Sequence, residues 1–141
     1  MLSALSIRDI VLIEKLDLSF EDGLSVLSGE TGAGKSILLD ALGLALGARG
    51  DSSLVRTGLN RGIVTASFSL PRNHAVLKLL AEQGIDVEGD VVIRRIQMAD
   101  GRSRASINDQ PVSINLLRQI DVDDGRCHWC IVTGWRFAAN C

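Results

Sequence analysis

The sequence lacks an excess of charge of either sign. It contains 15 Lys and Arg residues against 17 Asp and Glu residues, which gives a net charge of −2. This balance excludes a uniformly basic surface of the kind that coats nucleic acid, so any contact with a polyanion must come from a local patch or a short phosphate-binding loop. We therefore expect function to lie in a confined site.

Long hydrophobic runs are also missing. The longest strongly apolar stretch, residues 37–46, is interrupted by Asp40 and is much shorter than the roughly 20 residues that a membrane-spanning helix needs. Residues 1–20 alternate charged with apolar side chains and lack the layout of a signal peptide. With 46% hydrophobic residues in 141, the chain is long enough for one core without a disulfide or metal. We expect a cytoplasmic protein with no membrane contact.

Cysteine is absent until late in the sequence. All three cysteines and both tryptophans lie near the carboxyl end, at Cys127, Trp129, Cys130, Trp135 and Cys141. An odd number of thiols without an export signal favours reduced cysteines over a disulfide framework. Because the composition changes near residue 120, we divide the chain into a domain at 1–120 and a divergent tail at 121–141, which is out of frame or disordered.

Hydrophobic patterning predicts a mixed α/β protein. Strands are expected where apolar or β-branched residues alternate with polar ones, at 2–7, 11–20, 24–27, 63–70, 91–98 and 104–108. Helices are expected at 37–46, 74–83 and 114–120, the last of them capped by Ser113. A charged break at Arg8-Asp9 separates the first two strands, and Asp100-Gly101 marks a second hairpin.

A glycine-rich octet connects the expected strand 24–27 to the expected helix 37–46. Its residues are Gly29, Glu30, Thr31, Gly32, Ala33, Gly34, Lys35 and Ser36. The residue types and the strand-loop-helix context are those of the phosphate-binding P-loop. A glycine turn that only links a strand to a helix is the alternative, but it gives no packing reason for Lys35 and Ser36.

The chemistry of the octet indicates a nucleoside triphosphate. Gly32 and Gly34 permit backbone N–H groups to turn inward around phosphates, and the helix that follows adds the positive end of its dipole. Lys35 supplies a positive charge, and Ser36, expected as the first helical residue, offers a hydroxyl to Mg²⁺. We therefore predict ATP and Mg²⁺ as ligands of residues 29–36, with Ser36 as the metal ligand.

Residues 1–120 resemble the amino-terminal ATPase lobe of the RecN family, bacterial DNA-repair proteins related to the SMC and ABC-type ATPases. The resemblance is carried by residues 5–13, by the octet with the helix that follows it, and by residues 49–58. Glu30-Thr31 within the octet is more typical of RecN than of its SMC relatives.

The resemblance implies a P-loop NTPase fold, namely the amino-terminal lobe of an ABC/SMC-like head with an antiparallel β subdomain. It also implies recombinational repair of DNA double-strand breaks, with ATP sandwiched between two protomers, DNA and a second copy as partners, and a nucleoid-associated location. The family's glutamine loop, coiled coil, signature motif, Walker B pair and switch histidine follow residue 120, and none of them is present in residues 121–141. We therefore expect a truncated lobe that does not hydrolyse ATP alone.

Two other function classes remain open. One is a small stand-alone P-loop phosphotransferase, which needs an Asp at the end of a second parallel strand and would turn over ATP without a partner. The other is a non-enzymatic interaction fragment that pairs with an intact partner. Binding of ATP without turnover would fit both this fragment and the RecN-like lobe.

Four arginines, Arg94, Arg95, Arg102 and Arg104, flank the second hairpin. They are candidates for DNA phosphate contacts, but strand alternation separates Arg94 from Arg95 and favours a solvated sheet edge. Arg56 resembles an arginine that family heads use near nucleotide or DNA.

Three further candidates have ordinary structural explanations. Cys127, His128 and Cys130 are metal-ligating residue types, but their spacing matches no standard zinc motif. Asp40 is expected to support helix packing, and His74 is expected at the surface.

Overall fold

The fold is a six-stranded sheet with helices packed on one face. The computed structural model describes residues 2–19, 32–70 and 72–123. Its elements are, in chain order, β1 (Leu2–Ile10), β2 (Ile13–Ser19), α1 (Gly32–Ala45), a short 3-10 helix (Ser52–Leu54), β3 (Arg61–Phe68), α2 (Ala75–Glu82), β4 (Val91–Met98), β5 (Ser103–Ile107), β6 (Gln110–Val112) and α3 (Ile114–Asp123). The strand expected at 24–27 lies outside these residues. In the part of the chain that is described, no helix is long and apolar enough to cross a bilayer.

All strand pairs in the sheet are antiparallel, in the order β2-β1-β3-β4-β5-β6. The two predicted hairpins, the strand at 63–70 and all three helices are confirmed, with boundaries shifted by a few residues. Strand β6 was not predicted, because only three residues form it and one of them is Pro111, which cannot donate a ladder hydrogen bond.

Strand alternation assigns one face of the sheet to the core. In β3 and β4, every second residue is buried, and the same holds for Ala105 and Ile107 in β5. Strands β1, β3 and β4 contact α1. The buried apolar residues of β3, β4 and β5 belong to one hydrophobic cluster that also contains side chains of α2 and α3. We call this side of the sheet the inner face, and the side away from α1 the outer face.

The first hairpin turns later than the sequence predicts. Arg8 and Asp9 do not break the strand, since β1 continues to Ile10 and the turn falls at Val11 and Leu12. Backbone contacts with the segment after α1 decide this: Val11 N donates to Leu54 O at 2.8 Å, and Arg56 N donates to Asp9 O at 2.9 Å. The charged break was therefore a wrong prediction, because tertiary pairing outweighs the local turn signal.

The two later helices begin with side-chain caps. His74 Nδ1 accepts a hydrogen bond from Val76 N at 3.2 Å, so His74 is half-buried and starts α2 rather than lying freely at the surface. Ser113 Oγ accepts from Leu116 N at 3.2 Å, which confirms the predicted cap of α3.

Gly47 ends α1 in the left-handed conformation, with φ +98°. Ala48 N donates to Gly43 O at 2.9 Å, and Gly47 N donates to Leu44 O at 3.2 Å, as in a Schellman-type end. A Cβ at Gly47 would lie 3.0 Å from Cγ and from the backbone N of Arg118. This glycine is therefore required both by its conformation and by the close approach of α3.

We predict that Gly47→Ala lowers the free energy of unfolding by about 2–4 kcal/mol, combining left-handed strain with overpacking. Gly58→Ala is the matched control, because Gly58 has φ +88° with nothing within 4 Å of the added Cβ. The control is expected to lose about 1 kcal/mol from strain alone. Urea unfolding followed by circular dichroism measures both; equal losses would contradict a role for the α1–α3 contact.

Candidate nucleotide-binding site

The predicted phosphate-binding octet overlaps the start of α1. Gly29, Glu30 and Thr31 lie outside the described residues, whereas Gly32–Ser36 form the first residues of the helix. The helix therefore begins at Gly32, four residues before the expected start at Ser36. Residues 32–35 carry backbone N–H groups that have no acceptor within the helix, which makes this end suited to an anion.

The carboxyl half of α1 is fixed in the core. Residues 41–46 are all buried, as the apolar run 37–46 predicts, and the helix packs against β1, β3 and β4. Asp40 is exposed, so the expectation that it supports packing was wrong. Because the body of the helix is held by the sheet, its amino end is held in a defined place relative to the strands.

Two arginines donate to carbonyl groups at the carboxyl end of α1. Arg95 Nη1 donates to Leu44 O at 3.0 Å, and Arg118 Nε donates to Gly47 O at 2.9 Å. Cations at this end are favourable because the carbonyl groups carry the negative end of the helix dipole. The same dipole has its positive end at residues 32–35. The two arginines at the carboxyl end and a phosphate at the amino end would therefore both interact favourably with the dipole of α1.

Arg95 is completely buried, although its neighbour Arg94 is exposed. Arg95 Nε also donates to Ser103 Oγ at 2.6 Å, while Nη2 finds no acceptor in the described part of the chain. Burial lowers the pKa of the Arg95 guanidinium from its ordinary value, and the nearby charge of Arg118 lowers it further. Strand β4 lies inside the sheet between β3 and β5, so the predicted solvated edge was wrong for Arg95.

Gln97 is the second buried polar side chain of β4. Its Nε2 donates to Met98 O at 3.1 Å, whereas Oε1 has no donor among the described residues. A Cβ at Gly50 would collide with Gln97 Oε1 and lie 3.4 Å from Arg95 Nη2. The segment after α1 thus approaches this polar pair closely at Gly50, and a side chain at that position would require Gln97 to move.

Arg56 lies beside the first hairpin. Its Nη1 is 3.7 Å from Glu14 Oε2 and 4.0 Å from Asp9 Oδ1, and the side chain is 39% exposed. Exposed pairs of this length contribute little to stability. They orient the guanidinium toward the turn between β1 and β2, and the role implied for Arg56 by the family resemblance stays a prediction.

The metal-ligating candidates Cys127, His128 and Cys130 lie outside the described residues. Among residues 2–19, 32–70 and 72–123, no group of three or more His, Cys, Asp or Glu side chains is arranged to hold a metal ion. The assignment of Ser36 in the octet as a Mg²⁺ ligand stays a prediction. The phosphotransferase alternative finds no support here, because every described strand is antiparallel.

We predict that Arg95→Ala lowers the free energy of unfolding by about 2–4 kcal/mol, because it leaves a cavity and removes the donor to Leu44 O. Arg94→Ala changes the adjacent exposed side chain and is expected to stay within about 0.5 kcal/mol of the parent. Urea unfolding compares the two variants. Similar losses would show that the guanidinium beneath α1 does not hold the helix.

Comparison with known proteins places the chain in a family. The AAA domain family matches residues 4–124. The DNA repair protein RecN of Bacillus subtilis is 47% identical over 121 residues, which make up 85% of this chain and 21% of that protein. RecN of Haemophilus influenzae is 43% identical over 123 residues, 85% of this chain and 22% of that protein. The chain thus spans about a fifth of the length of these relatives.

The fold is also found in solved structures. An SMC ATPase structure, from work on ATP-driven dimerization and DNA-stimulated activation, is similar with a TM-score of 0.69 at 23% identity, over 88% of this chain and 79% of that one. This likeness confirms the predicted α/β fold of an SMC-like head lobe. The resemblance to the amino-terminal ATPase lobe of RecN is likewise confirmed, and the chain belongs to the AAA domain family.

Proposed function

We propose that this chain is the ATP-binding lobe of a RecN-like protein that acts in recombinational repair of DNA double-strand breaks. The observation that carries the proposal is the P-loop octet at the amino end of a helix whose carboxyl half is buried against the sheet. The match to two RecN proteins, both named for DNA repair, supports the biological setting. DNA, a second copy of the protein and a location at the nucleoid belong to the same proposal.

Each residue of the octet has a role in this proposal. Backbone N–H groups of residues 29–34 donate to the phosphate oxygens, and the amino end of α1 adds its partial positive charge. Lys35 pairs with the terminal phosphates as a mobile cation. The Ser36 hydroxyl is a hard oxygen ligand of the kind that Mg²⁺ prefers. When bound, Mg²⁺ neutralises charge on the phosphate oxygens that it bridges.

We predict that Mg-ATP binds the full chain and that Lys35→Ala weakens binding at least about tenfold, the factor expected from losing a hydrogen bond to a charged group. Isothermal titration calorimetry measures both affinities. Chelating Mg²⁺ with EDTA is expected to weaken binding to the parent chain.

Lys78→Ala is the matched control for that titration. Lys78 is an exposed lysine on α2, so its removal makes the same change of charge away from the octet. Equal affinities for the parent and both variants would argue against phosphate binding by the octet. Thermal melting of each variant without nucleotide separates lost binding from lost folding.

A further inference from the structure

The outer face of the sheet is strongly basic although the chain as a whole is slightly acidic. Strand residues on this face include five cations and one carboxylate, namely Arg8, Lys15, Arg61, Arg94, Arg104 and Asp17. The net charge of the whole chain is −2. The positive charge is therefore concentrated on the side of the sheet away from α1.

Strand register brings three of these arginines onto neighbouring strands. On β4, Arg94 pairs with Thr65 of β3 and Ser106 of β5. Arg104 on β5 lies opposite Ile96, and Arg61 on β3 lies opposite Met98. From ordinary strand spacing, Arg61, Arg94 and Arg104 are spread over about 14 Å. We call these three residues the arginine cluster.

The arginine cluster is exposed and has no acidic partner in the described chain. Other arginines near the two hairpins are neutralised locally: Arg8 pairs with Asp17 at 2.9 Å, and Arg102 pairs with Asp100 at 2.6 Å. Arg102, named in the sequence analysis with Arg94 and Arg104, is thus occupied within its own turn. Among the described residues, the arginine cluster therefore carries unpaired positive charge on the outer face.

The charge of the outer face and the types of residue on it indicate which ligand it binds. Duplex DNA carries about one negative charge per 1.7 Å, so a length equal to the spread of the cluster presents about eight charges. Single-stranded nucleic acid is usually bound through aromatic stacking, and no described strand residue on the outer face is aromatic. The arginine cluster lies on three interior strands of a six-stranded sheet, which is too broad to enter the major groove, so this face contacts phosphates rather than base edges.

We propose that the arginine cluster binds the phosphodiester backbone of double-stranded DNA without reading its sequence. The inference gives a contact surface to the DNA partner of the proposed function, on which it rests for its biological setting. The surface itself is separate from the nucleotide site, because it lies on the face of the sheet opposite α1.

The salt dependence of binding measures the number of phosphate contacts. Three contacts predict a slope of log affinity against log salt of about −2.7. Losing one arginine is expected to reduce that slope by about one and to weaken binding about eightfold in 0.1 M salt. The effect should be the same for duplexes of unrelated sequence.

The test is fluorescence anisotropy of the full chain with a labelled 30-base-pair duplex, without nucleotide. The double variant Arg94→Gln/Arg104→Gln is expected to bind about 60-fold more weakly at 0.1 M salt. It loses two phosphate contacts, and each contact contributes about 0.9 to the slope of log affinity against log salt. The double variant Arg94→Lys/Arg104→Lys keeps the charges and is expected to bind within a few-fold of the parent. Arg102→Gln removes an exposed arginine that is already paired, so it should leave binding unchanged.

Several results would overturn the proposal. These are no binding by the parent chain, equal binding by the Gln and parent proteins, tighter binding of a single strand of the same length, or binding only to an acidic protein. Lys35→Ala separates this proposal from the nucleotide site, since it should retain duplex binding. If Mg-ATP does not bind but duplex binding is lost on substitution of the arginine cluster, the nucleotide site is contradicted and the DNA-binding surface is supported.

Discussion

The packing of α1 on the inner face of the sheet is the constraint on which the described structure depends. Its buried residues 41–46 join the strands in one core, and two arginines from other elements donate to carbonyl groups at its carboxyl end. Because the helix is fixed at that end and along its body, its amino end has a defined position. A phosphate-binding octet requires such a platform, since backbone N–H groups select an anion only when they are held in place.

The contact between Arg95 and the carboxyl end of α1 is made at a cost in free energy, because it requires a buried guanidinium. A guanidinium without a carboxylate partner is costly to bury, and here hydrogen bonds to a helix carbonyl and to Ser103 Oγ offset part of the cost. Gln97, two residues further along β4, is also buried and lies close to Gly50 in the segment after α1. The hydrogen bond from Arg95 Nη1 to Leu44 O links the carboxyl end of α1 directly to β4.

Strand β4 connects the two proposed surfaces of the molecule. Arg95 points to the inner face and holds the helix that carries the octet, whereas Arg94 points to the outer face and belongs to the arginine cluster. Adjacent residues serve opposite sides because the side-chain period of a strand is two. A displacement of β4 would therefore affect both the end of α1 and the outer face, so this strand would couple the proposed nucleotide site to the proposed DNA-binding surface.

Much of the fold was predictable from local signals. The hairpin at Asp100-Gly101, the cap at Ser113 and the apolar run of α1 each follow from a short-range rule that tertiary packing did not override. The errors have a common cause. The turn after Ile10 depends on backbone contacts with the segment after α1. The exposure of Asp40 depends on how α1 is oriented on the sheet, and Pro111 concealed a strand of three residues.

The sequence by itself determined the family, the antiparallel sheet and the octet, because sequence motifs and local propensity both depend on residues that are neighbours in the chain. Only the tertiary structure decided which arginine is buried and which is free. Four residues of the same type differ in their surroundings because of strand register, helix packing and ion pairing: Arg94, Arg95, Arg102 and Arg104. Those differences arise from residues far apart in the chain, and it is the packed sheet that brings them together.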